Sequence, residues 1–158
     1  MSIGKLAMVT ILLLLIVVTI ASQVRGDKGE VLEVCPECEY KTISDALRNI
    51  KPGSIVYIRR GEYIDRICIN NTEGIRLELD NGTIVSQANN SKVLLVVANS
   101  SNISIICKGC CVFRGERKAI LVVNSHNISI VNINLTDSFQ WHLELKNSTI
   151  TLKLLVFF

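Results

Sequence analysis

From Ile55 onward the chain alternates short apolar runs with polar turn residues. One set of runs is "SIVYI", "GIRLEL", "NISII", "NISIVNI" and "STITLKL". Its marker isoleucines, Ile55, Ile75, Ile103, Ile128 and Ile150, are spaced 20, 28, 25 and 22 residues apart. A second set, "KVLLVVANS", "AILVVNS" and "WHLELKNS", places asparagine at Asn99, Asn124 and Asn147, spaced 25 and 23 apart. A third is "RICI" at 66–69, "GTIV" at 82–85, "CVF" at 111–113 and "INL" at 133–135. The runs have strand length, no helical periodicity intrudes after residue 51, and Gly, Asn, Asp and Ser fill the gaps.

Three short strands per repeat, with a period in the low to middle twenties, predict a parallel β-helix. Each strand then stacks on its equivalent one coil along, and inward Ile, Val and Leu form apolar ladders. Turn residues stack as well. Asparagine suits such a turn because it tolerates a left-handed backbone and hydrogen-bonds nearby groups. The near-copies "NSSNISI" (99–105), "NSHNISI" (124–130) and "NSTITL" (147–152) therefore read as a register mark, with Asn99, Asn124 and Asn147 in one column. A leucine-rich repeat has an overlapping period but needs L-x-x-L-x-L-x-x-N. Here the apolar positions are β-branched and the asparagine precedes a strand.

Ahead of the coils, "EYKTISDALRNIKPGS" predicts a short helix. Thr42 or Ser44 is its cap, Ile43, Ala46, Leu47 and Ile50 form its apolar face, and Pro52-Gly53 ends it. A solenoid needs its open first rung covered, so this helix is the expected lid. The expected organisation is an export segment at 1–26, an N-terminal segment with the capping helix at 27–53, and β-helix coils at 54–158. The last rung, Leu154 to Phe158, has no polar cap in the sequence. That predicts self-association through the open C-terminal coil, a truncated gene product, or the first part of a longer solenoid.

Much of the apolar excess sits at the N-terminus. Lys5 precedes the run Leu6 to Ala21, "LAMVTILLLLIVVTIA", and Thr19 and Ala21 suit the −3 and −1 positions of a secretory cleavage site. The alternative is an uncleaved membrane anchor through residues 6–21, a run slightly short of the about 20 residues of a full span. Either way the remainder is expected to be secreted or at the cell surface. Without residues 1–26 the formal charge falls from +3 to +1, which gives no basis for nucleic-acid binding.

Cys35, Cys38, Cys68, Cys107, Cys110 and Cys111 all follow the export segment. Disulfides are their expected use in an oxidising compartment, with the pairing left open. "CPEC" and "CKGCC" each contain a C-x-x-C half-site for zinc, but 72 residues separate Cys35 from Cys107, unlike a compact zinc ribbon. No metal site and no cofactor is predicted, and an exported metal-binding protein is the alternative reading of the cysteines.

The stretch "YKTISDALRNIKPGSIVYIRRGEYIDRICI" resembles the opening segment of pectin lyase-like right-handed β-helix proteins, with Arg60-Gly61-Glu62-Tyr63 where those proteins carry P-x-G-x-Y. Further on, "NGTIVSQAN" and "LTDSFQWHLELKNSTITLKL" resemble polygalacturonases. The resemblance covers residues 40–158 and implies an all-β, right-handed parallel β-helix with a polysaccharide-related role. It also implies where catalysis belongs, on turns beyond the Trp phrase, in Asn-Thr-Asp, Asp-Asp, His-Gly and Arg-x-Lys motifs. None of these occurs in the 17 residues after Trp141 or elsewhere in the sequence. No catalytic residue is carried over, and the retained activity, were there one, would be hydrolysis of a pectin-type polysaccharide.

The expectation is therefore a non-catalytic surface or carbohydrate-interacting module, with a truncated polygalacturonase-like hydrolase as the alternative. The expected partner is a polysaccharide or cell-surface glycan. Its candidate contacts are Trp141, His142 and Asp137, with Tyr57 and Tyr63 as further aromatic positions; His126 lies one coil earlier. Asn-x-Ser/Thr acceptors occur at Asn70, Asn81, Asn89, Asn99, Asn102, Asn127, Asn134 and Asn147. Asn70, Asn81 and Asn89, read as lying in looser segments, are the expected sugar-bearing ones.

Overall fold

Short strands separated by left-handed asparagines wind the chain into a parallel β-solenoid of about 5 turns. The computed structural model describes residues 29–88, 91–136, 141–153 and 156–157. In chain order, these contain β1 (Val31–Val34), α1 (Ile43–Arg48), β2 (Ile55–Ile58), β3 (Glu62–Asp65), β4 (Ile67–Asn70), β5 (Arg76–Leu79) and β6 (Ile84–Gln87). Then follow β7 (Val93–Ala98), β8 (Ser101–Arg114), β9 (Lys118–Val123), β10 (His126–Leu135), β11 (Trp141–Lys146), β12 (Ile150–Lys153) and β13 (Val156–Phe157). The export segment at 1–26, with its apolar run at 6–21, lies outside the described residues. Among the described residues, no helix is long and apolar enough to cross a membrane.

All pairings between these strands are parallel. One sheet runs β1-β2-β5-β8-β10-β12, and a second runs β4-β7-β9-β11. The long strands β8 and β10 turn a corner. Their second halves join a third column with β3, β6 and β13.

Period-2 alternation decides which side chains enter the core. In the first sheet Leu32, Val56, Leu77, Ile105, Ile130 and Leu152 occupy one register level. Val56, Leu77, Ile105 and Ile130 on that level are fully buried. Ile67, Leu95 and Ile120 form the matching ladder of the second sheet. Tyr63, Val85, Phe113 and Leu135 form that of the third column. Phe113 is fully buried between its neighbours and supplies the largest fully buried side chain of this ladder.

The turn after the second sheet carries the repeated phrase. Every non-glycine residue with positive φ among the described residues is asparagine. Asn99, Asn124 and Asn147 all have φ 47°, and Asn102 and Asn127 have 56° and 53°. Asn124 Nδ2 donates to Asn99 Oδ1, and Asn147 Nδ2 to Asn124 Oδ1, each at 3.3 Å. This is the expected column, although its side chains are exposed and not turned inward.

A second column lies beneath it. The Ser100 N–H donates to Ser125 Oγ, and the Ser125 N–H to Ser148 Oγ, both at 3.1 Å. Each serine hydroxyl in turn donates to the carbonyl two residues back. A fourth copy of the turn, Asn71-Thr72-Glu73-Gly74, precedes Ile75. Asn71 and Gly74 are left-handed at 52° and 69°, and the Thr72 N–H donates to Ser100 Oγ.

The helix forms as expected. Thr42 Oγ1 accepts from the Asp45 N–H, and Ile43, Ala46 and Leu47 are buried. It packs against β1, β2, β3 and β4. Ser44 is not the cap. Its N–H donates to Asp65 Oδ2, and its hydroxyl to the Arg66 carbonyl.

Four expectations change. "RICI" belongs to the second sheet, because β4 pairs with β7; Glu62–Asp65 takes its place in the third column. Ile55 pairs with Arg76, which puts buried Ser54 and not Ile55 on the level of Ile75. The first solenoid strand, β1, lies inside the 27–53 segment assigned to the lid. Asn70 and Asn81 do not lie in loose segments. Asn70 ends β4 and accepts from Asn99 Nδ2, and Asn81 Oδ1 accepts from the Cys110 N–H at 2.8 Å. Gly109 permits that approach, since a Cβ there would stand 2.3 Å from Asn81 Oδ1.

Candidate functional site

Outward positions of the first sheet assemble the richest polar cluster described. Glu33, Tyr57 and Glu78 share one outward level on β1, β2 and β5. Tyr57 donates its hydroxyl to Asp80 Oδ1, one coil on. Lys108, on β8, stands 4.3 Å from the centre of the Tyr57 ring and 2.9 Å from Glu78 Oε2. Arg76 takes the other Glu78 oxygen at 3.0 Å, and Arg59 pairs with Glu33.

The electrostatics follow from these contacts. The hydrogen bond to Asp80 raises the Tyr57 pKa, with desolvation second, so the ring stays a neutral phenol. The hydrogen bond to Glu78 raises that of Lys108 and keeps it cationic. A cation over an aromatic face is attracted by the ring quadrupole. The cluster thus offers a half-buried ring beside Lys108 and Arg59, with Arg76 joined to it through Glu78, a surface able to meet carboxylate and hydroxyl groups of a chain molecule. Both Glu78 oxygens are already occupied by cations, unlike the paired acid and base of a glycoside hydrolase, which must face the scissile bond.

A second row lies on the asparagine turn. Glu73, Ser101 and His126 occupy one level on successive coils. With Asn99, Asn124 and Pro52 they line a shallow groove. A nucleophilic serine needs its base within hydrogen-bond reach. Among the described residues, Ser101 and His126 share no hydrogen bond.

The sequence-derived candidates fare unequally. Asp137 and Asn89 lie outside the described residues. Trp141 and His142 open β11 in the second sheet, with Trp141 paired to Lys118. His126 begins β10 in the first sheet, so the two histidines are on strands of different sheets. Tyr63 is not a sugar platform: it is 6% exposed, and its hydroxyl donates to the Arg59 carbonyl at 2.8 Å. Tyr57, which could have been core, faces outward. The Lys108–Tyr57–Asp80 contact was not visible in sequence because its members are 23 to 51 residues apart and meet only through register.

Cysteines pair locally. Cys35–Cys38 and Cys107–Cys111 are at disulfide distance, while Cys68 and Cys110 are free and exposed. This consumes the outer members of both C-x-x-C-containing phrases. Among the described residues no group of three or more His, Cys, Asp or Glu could hold a metal ion. Two such pairs are compatible with an extracellular protein.

Fold and site together define a parallel β-solenoid. Comparison with known proteins returns no matching family, no matching curated protein and no matching solved structure.

Proposed function

We propose that the chain is an exported, non-catalytic β-helix of the pectin lyase-like kind that binds acidic polysaccharide on the outer face of its first sheet. The observation carrying this reading is the Tyr57 ring held between Asp80 and Lys108, with Arg59 and Arg76 alongside. Uronate carboxylates would exchange with Glu33 and Glu78 for these cations, and sugar C–H groups would pack on the part of the ring that Lys108 leaves open. The right-handed winding is supported by the strong preference of parallel crossovers for that hand. Helix α1, packed on the first four strands, is read as the N-terminal cover. Export is supported by the apolar run after Lys5 and by the two cysteine pairs.

The test is equilibrium titration of the full chain with oligogalacturonates. Lys108→Ala should weaken binding about tenfold, the equivalent of one charge-assisted hydrogen bond at about 1.5 kcal/mol. Absence of binding, or binding untouched by both Lys108→Ala and Tyr57→Ala, overturns the assignment.

A further inference from the structure

The asparagine columns have a direction. In every side-chain pair the later residue donates and the earlier one accepts. Asn99 Nδ2 donates to Asn70, Asn124 to Asn99, Asn147 to Asn124, and Asn127 to Asn102. Each column therefore begins with an asparagine whose Oδ1 is used and whose Nδ2 has no partner among the described residues. Those leaders are Asn70, one residue before the Asn71 that holds the turn position of Asn99, and Asn102. Asn81 is a third such acceptor-only residue, bonded through Oδ1 to the Cys110 N–H. All three are exposed, and all three stand in Asn-x-Ser/Thr sequences.

Space agrees with polarity. The position before Asn102 in its column is Gly74, which has no side chain and packs in turn near Gly53. Asn99, Asn127 and Asn147 instead each follow an asparagine on the preceding coil, about 4.8 Å away.

We propose that column polarity selects the glycan acceptors: Asn70, Asn81 and Asn102 carry N-linked oligosaccharide in the folded protein, and Asn99, Asn127 and Asn147 do not. The sugar comes from a polyprenyl-pyrophosphate-linked oligosaccharide of the secretory pathway. A bond forms between sugar C1 and Asn Nδ2, the C1–O bond to pyrophosphate breaks, Nδ2 loses one proton, and the polyprenyl pyrophosphate leaves. At a donating position the attached sugar would take the place of one Nδ2 proton and crowd the neighbour's Oδ1 on which Nδ2 is seated. A chain so modified folds with that rung broken, and secretion removes it.

The test places the full chain behind an independent secretory leader in a glycosylating cell, with a reporter acceptor on a C-terminal tag. Occupancy is scored by peptide mass spectrometry on secreted molecules whose reporter carries sugar. Asn70, Asn81 and Asn102 should be occupied about fivefold or more above Asn99, Asn127 and Asn147, the ratio expected from one ladder hydrogen bond. Asn102→Gly keeps the left-handed turn and makes Asn127 the column leader, so Asn127 should become occupied; Asn70→Ala should do the same for Asn99. Equal occupancy along a column, or an Asn127 that stays empty in Asn102→Gly, overturns the proposal. The supplied leader and the reporter make the outcome independent of polysaccharide binding.

Discussion

The backbone N–H of Ser100 donates to the hydroxyl of Ser125, one coil further along, at 3.1 Å. Both residues are buried, and Ser125 Oγ also donates to the Val123 carbonyl at 2.8 Å. The hydroxyl thus satisfies one orphan donor and one acceptor at a turn that water does not reach. Ser125→Ala should lower stability by about 1–3 kcal/mol, because it strands a buried N–H. Urea denaturation checks this. A loss below about 0.5 kcal/mol, the range of an ordinary surface substitution, would show that the serine column is incidental.

Asn124 acts by its backbone first. Its φ of 47° is a conformation that ordinary side chains resist by roughly 1–2 kcal/mol. Asn124→Ala should therefore destabilise more than Asn124→Gly, despite the greater entropy of glycine in the unfolded chain. The reverse order in thermal melts would mean that the side-chain amide column matters more than the turn.

In the core, Phe113 lies between Val85 and Leu135 with no exposed surface. Phe113→Ala should cost about 3–5 kcal/mol, through lost burial and a residual cavity. Phe113→Leu should recover most of it, as read from denaturant midpoints.

On the second sheet, Glu144 is bonded by Lys118 and by Lys146, in that order of influence. These bonds lower its pKa below the ordinary value of 4.5. A carboxylate with a depressed folded pKa stabilises above its unfolded pKa, and that contribution is lost as pH falls through the folded one. The melting-temperature gap between the native chain and Glu144→Gln should therefore be constant above about pH 5 and close as pH falls below 4.5. A gap that persists unchanged into acid would contradict the ion-pair account.

The coil period and the Asn99–Asn124–Asn147 column were legible because a stacked turn needs the same backbone conformation on each coil, and asparagine supplies it. The fourth copy, "NTEGI", escaped because Thr replaces Ser and Gly replaces the second Asn. The glycine keeps a left-handed residue at the fourth position, but Thr72 Oγ1 is buried without a hydrogen-bond partner, unlike the serine hydroxyls of the later coils. "RICI" was misassigned because three strand families share one apolar alphabet. The pairing of β4 with β7 is what places it in the second sheet and not in the third column. The site was the least legible part. Tyr57, Asp80 and Lys108 come from different coils, and no local motif announces a contact that depends on register.

The function proposed for the outer face of the first sheet is binding without cleavage. The most direct measurement mixes the full chain with insoluble pectic polysaccharide, then assays the pellet for protein and the supernatant for new reducing ends. The account predicts protein retained on the polysaccharide, retention reduced in Tyr57→Ala and Lys108→Ala, and reducing ends at background. Reducing ends that rise in proportion to protein would mark the chain as a hydrolase, and protein left wholly in the supernatant would contradict the binding face.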